Sequence, residues 1–78
     1  MPVEYLRETY RILEATDRDE FEDLQQQQDL YWSILGLGVV DFREGSMAQT
    51  MLFELFGEGT TTRANLEALG KPDDLPSP

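Results

Sequence analysis

The sequence predicts an all-α domain, or nearly so, and three observations carry that prediction. Apolar residues recur at helical spacing in four separate stretches. Capping residues stand before later stretches, and glycines (Gly36, Gly57, Gly70) follow their ends. Signals for extended structure are confined to Val39 to Phe42. The expected architecture is a small bundle: two longer helices packed antiparallel, a Gly-containing extended linker at about 36–45, and two short helices across them. One helical domain covers 1–70, and residues 71–78 read as an extended acidic tail with prolines.

The first helix is expected over Val3 to Ala15. Val3, Leu6, Tyr10 and Leu13 form a stripe, widened by Tyr5 and Ile12, and Pro2 suits a first turn. Glu4 with Arg7, and Glu8 with Arg11, are i,i+3 pairs on the outer face. Asp17 then caps a second helix, with Glu20 at the third position of a capping box. That helix is expected from about Arg18 to Leu35, with Phe21, Leu24, Tyr31 and Leu35 inward. Gln28 falls on this stripe, either as a buried residue that sets register or as a polar residue at a solvated edge.

Gly36-Leu37-Gly38 stops the helix, and Val39-Val40-Asp41-Phe42 reads as one short strand that must lie on the helices or pair with another chain. Ser46, with Gln49 three residues on, caps a helix over Met47 to Phe56. Ala48, Met51, Leu52, Leu55 and Phe56 face inward, while Phe53 lies off their stripe. One of Thr60 to Thr62 caps a fourth helix that ends at Leu69, before Gly70 and Pro72.

Charge narrows the function classes. Sixteen acids against six bases give a net charge of −10. Such a surface repels phosphate and anionic lipid, so neither nucleic acid nor membrane is an expected partner. No basic, apolar leader opens the chain, and the apolar run at 30–42 is shorter than the roughly 20 residues a bilayer needs. The expected location is the cytoplasm, or a particle assembled inside a cell.

Catalysis and cofactor chemistry find little footing. The chain has no Cys and no His, so it offers neither a Cys–His pair nor soft zinc ligands. Asp17 to Asp23 departs from a calcium loop, with Phe21 and Glu22 where a ligand and a glycine belong and Gln28 at the twelfth place. No catalytic residue, metal site or cofactor is expected.

Met51 to Gly70 (MLFELFGEGTTTRANLEALG) resembles the first two helices of a winged-helix or helix-turn-helix domain, in its helix, its Gly-Thr turn and its second helix ending in Leu-Gly. That resemblance covers about a quarter of the chain and implies DNA binding. The pattern departs after Gly70, where KPDDLPSP stands in place of a recognition helix.

The expected function is therefore a non-enzymatic protein–protein interaction module: a small subunit or assembly factor of a larger complex, a virus particle included. Its partner would be another protein or a second copy. The candidate partner-binding residues are Tyr31, Trp32, Leu37, Val39, Val40, Phe42 and Phe53, because Trp and Tyr dominate interfaces and so small a bundle cannot cover every apolar side chain between 30 and 42. An acidic inhibitor that mimics nucleic acid is the alternative, and a truncated helix-turn-helix regulator the second.

Overall fold

A computed structural model describes residues 3–71; the tail expected beyond Lys71, and Pro2, lie outside the described residues. The chain is mostly helical with a small two-stranded sheet. A 3-10 turn at Val3–Tyr5 leads into strand β1 (Leu6–Glu8) and helix α1 (Thr9–Ala15). Helix α2 (Arg18–Glu22), a 3-10 turn at Gln25–Gln27 and helix α3 (Gln28–Leu35) follow. Strand β2 (Val39–Asp41) precedes helices α4 (Met47–Leu55) and α5 (Thr61–Leu69).

The expected first helix is the main correction. Its N-terminal half is a 3-10 turn followed by the strand Leu6–Glu8, which pairs antiparallel with β2 in the register Leu6 to Asp41, Arg7 to Val40 and Glu8 to Val39. Even the full expected helix, Val3 to Ala15, would be marginal on its own. Pairing with the β2 segment within the same chain satisfies main-chain groups of both segments, and the strand wins. Flanking bonds from Thr9 N–H to the Gly38 carbonyl (2.9 Å) and from Phe42 N–H to the Tyr5 carbonyl (2.9 Å) close both ends of the ladder. Most of the predicted stripe dissolves with the helix: Val3, Tyr10 and Leu13 are exposed, while Ile12 stays buried and Thr9, off the stripe, joins it.

Arg7 is moved furthest from expectation. Rather than lying outside with Glu4, it is 1% exposed. Its guanidinium donates to the carbonyls of Glu4 (2.7 Å), Leu6 (2.8 Å) and Leu69 (2.9 Å), and also to that of Lys71. The Leu69 carbonyl ends α5 and that of Lys71 lies just past it, where a cation is favoured by the helix dipole and orphan carbonyls need donors. A buried charge is tolerated because its donors are engaged.

The long second helix is also broken. Gln25 has φ 51°, a left-handed conformation that costs a non-glycine residue about 1–2 kcal/mol. The break separates α2 from α3. Gln28 spans it, its Nε2 donating to the Phe21 carbonyl at 3.4 Å.

The local caps fall where the sequence puts them. Asp17 accepts from Glu20 N–H (3.0 Å), Ser46 from Gln49 N–H (3.2 Å) and Thr60 from Arg63 N–H (3.1 Å). The Glu20 carboxylate does not return to its own cap. It accepts from the N–H groups of Thr61 (2.8 Å) and Thr62 (2.7 Å) at the start of α5. In exchange, Asp17 N–H donates to Thr62 Oγ1 (2.8 Å), and Asn65 Nδ2 donates to the last carbonyl of α1, Ala15 (3.0 Å). The α1–α2 corner and the α5 N-terminus thus satisfy each other's orphan main-chain groups.

The core consists of Ile12, Leu24, Tyr31, Ile34, Val40, Phe42, Leu52, Phe56 and Leu66. Helix α1 packs between α3 and α5, and β2 lies on α4. Gly70 permits one close approach: a Cβ there would stand 2.5 Å from Gln49 Nε2 and 3.2 Å from the Phe42 carbonyl oxygen.

Candidate docking surface

The apolar run between Leu30 and Phe42 is divided by the fold. Tyr31, Val40 and Phe42 go inward: Tyr31 and Phe42 are fully buried and Val40 is 6% exposed. Tyr31 has its hydroxyl 3.0 Å from Thr16 Oγ1, and burial pushes its pKa above the usual tyrosine value despite that bond. None of the three can touch a partner in this conformation. Phe53 is half-buried and roofed by Arg63, whose guanidinium carbon lies 3.8 Å from the ring centroid. Arg63 is held there by Glu67, with Nε 3.0 Å from Oε1.

Trp32, Leu37 and Val39 face outward, at 51%, 68% and 51% exposure. Trp32 follows from helix geometry. It is one residue, about 100° of rotation, from the inward Tyr31, at the edge of the α3 stripe. Its indole is not loose. The ring centroids of Phe21 and Tyr31 lie 5.6 Å and 5.1 Å away, both edge-on. Phe21 and Tyr31 are themselves edge-to-face at 4.9 Å, and Tyr31 in turn meets Phe56 at 6.1 Å. A chain of aromatic contacts therefore connects the core to an exposed indole. Trp32 sits beside a cleft of about 160 Å³ completed by Leu13, Thr16, Arg18 and Phe21.

Leu37 and Val39 line a different depression, a groove of about 530 Å³ between β2 and α4. Its floor is Ile34, Ala48 and Met51, and Met47 stands on its rim at 79% exposure. Met47 was not among the residues singled out by sequence. Its position at the first turn of α4 was the available signal, because a helical side chain leans toward the N-terminus and there hangs beyond the helix. Leu13, which the predicted stripe placed inward, is a second exposed residue beside Trp32.

A third depression, of about 670 Å³, gathers Arg43, Arg63 and Lys71 with Glu44 and Glu67. Arg43 is paired with Asp41 (3.0 Å) as Arg63 is with Glu67, so its cations are largely matched by neighbouring carboxylates. Among the described residues, no helix is long and apolar enough to cross a membrane. No protein-family model matches the chain, and no curated protein or solved structure is significantly similar to it.

Proposed function

We propose that this domain is a non-enzymatic protein–protein interaction module, serving as a small subunit or assembly factor of a larger complex, with a virus particle among the settings it suits. The observation that carries the reading is Trp32. A half-exposed indole, held edge-on by Phe21 and Tyr31, is an anchor whose ordering cost has been met before any partner arrives. Trp is enriched among the residues that dominate binding energy. The charge of −10 around the apolar depressions limits non-specific association and favours partners of opposite sign.

Trp32 is the only tryptophan of the chain, so 5-hydroxytryptophan in its place reports on this surface alone and stays distinct from the tryptophans of added proteins. In the isolated chain its emission is expected at long wavelength and open to acrylamide. Fractions from the native source that hold the partner should shift it to the blue and protect it, and the same protection at high protein concentration would identify a second copy as the partner. An indole that is blue-shifted and protected at every dilution of a proven monomer would overturn the reading.

A further inference from the structure

We propose that β2 is an acceptor edge: the groove beside it takes an extended segment of a partner protein, apolar at alternate positions and basic between them, as a third strand. The inference rests on the reading of this domain as an interaction module and names the partner's chemistry.

Main-chain geometry comes first. In an antiparallel ladder, successive residues turn their N–H and C=O groups to opposite sides. The bonds of Gly38 and Phe42 to β1 fix which side each β2 residue serves. Val40, opposite Arg7, faces β1 with them. Val39 and Asp41 must therefore aim their main-chain groups away from β1, and no main-chain bond is made by either residue on that side among the described residues. Each supplies one donor and one acceptor, spaced about 7 Å apart along the strand. This is the complement of an extended chain and of little else, and unpaired edges of this kind recruit strands.

Side-chain geometry agrees. The groove lies along this edge, and its floor is the half-buried Ala48 and Met51 of α4 with the core residue Ile34 of α3. An added strand would turn alternate side chains down onto that floor and onto Met47. The intervening side chains would emerge beside Val39 and Asp41, on the outer face that also holds Glu8 directly across from Val39. Arg43, which also lines the groove, is engaged by Asp41. Lys or Arg at the intervening positions suits this face and the overall charge of −10, whereas a second copy would bring −10 against −10. A two-stranded sheet is also marginal, and a third strand relieves it.

The test uses the full chain and a capped seven-residue peptide that alternates Lys and Val, followed by amide and methyl NMR. Binding should shift Val39 and Asp41 amides, slow their hydrogen exchange and move the methyls of Ile34, Met47 and Met51. The Glu-for-Lys version should bind about tenfold more weakly or worse, since it meets like charge. Val39→Pro removes an edge N–H without touching the β1 ladder and should weaken binding about tenfold. Should that variant fail to fold, Met47→Lys, at an exposed position, decides instead, with a similar loss expected. Three results would overturn the proposal: no shifts at millimolar peptide, equal binding of the Glu version, or concentration-dependent contacts between Val39 and Asp41 of two copies. Shifts confined to Trp32 and Phe21 would also overturn it, while leaving the interaction-module reading standing.

Discussion

Thr62→Val removes one oxygen and should cost far more stability than its size suggests. Thr62 is completely buried at the second position of α5, where its Oγ1 accepts from Asp17 N–H at 2.8 Å. Valine keeps the shape and has nearly the same helix propensity, so packing and local preference are close to unchanged. The N–H of Asp17 is left without its acceptor, which costs about 1–3 kcal/mol. A chain of this length has a total stability of roughly 4–12 kcal/mol, so the loss is a large fraction of the whole. The melting temperature should fall by about 6–18 °C on the scaling for domains of this size. Far-UV circular dichroism melts and urea titrations measure it. Thr61→Val is the control: Thr61 is exposed and contributes only its N–H to Glu20, so the change should stay within about 0.5 kcal/mol. A second readout is the Glu20 carboxyl, whose pKa is held below the usual 4.5 chiefly by the Thr62 hydroxyl; desolvation opposes this, and the Thr62 and Thr61 amides add to the lowering. In Thr62→Val that pKa should rise. Equal melts for the two variants, or an unmoved Glu20, would refute the account of the α2–α5 corner.

Glu20 also predicts a pH dependence. Its folded pKa is depressed, so its contribution is complete above the unfolded carboxylate pKa and is lost as pH falls through the lower folded value. Glu20→Gln should therefore be less stable than wild type near neutrality and lose less on acidification below about pH 4.5, as pH-resolved urea melts would show. Ser46→Ala removes the α4 cap and should destabilise by about 0.5–2 kcal/mol, whereas Ser33→Ala, which loses only an exposed bond to the Asp29 carbonyl, should cost much less in the same denaturant series. Gln25→Gly relieves the left-handed residue and should leave stability unchanged or raise it by up to about 1 kcal/mol, while Gln27→Gly in the same turn should lower it by about 0.5–1 kcal/mol; paired thermal melts separate the two.

What the sequence revealed depended on how far apart the cooperating residues lie. Asp17, Ser46 and Thr60 cap helices because a side chain reaches an N–H two or three residues away, and such pairs are visible in a short window. Trp32 was placed at the edge of its stripe by counting along one helix. The strand at Leu6–Glu8 was invisible for the opposite reason, since Val3 to Ala15 has good helical spacing and its true partner is β2. With β1 unknown, the face of each β2 residue was unknown too, and Val40 and Phe42 were grouped with Val39 although only Val39 is exposed. Arg7 shows the same limit: its acceptors Leu69 and Lys71 are at the far end of the sequence. The break at Gln25 carries no local signal, because glutamine is a good helix former and only packing demands the turn.

The account holds that this domain works through its exposed apolar surface, and position-specific photocrosslinking in the native source tests that most directly. A photoreactive residue would replace Trp32, Val39 or Met47 in turn, with Arg18→photoreactive residue and Glu58→photoreactive residue as exposed controls outside the β2 groove, and the adducts would be identified by mass spectrometry. The account predicts one discrete protein adduct from Trp32, and from Val39 and Met47 an adduct that maps to an extended basic segment. Position 58 should give none, and position 18, beside the Trp32 cleft, should give the Trp32 adduct or none. Adducts of equal yield and mixed identity at all five positions, or none at positions 32, 39 and 47, would contradict it.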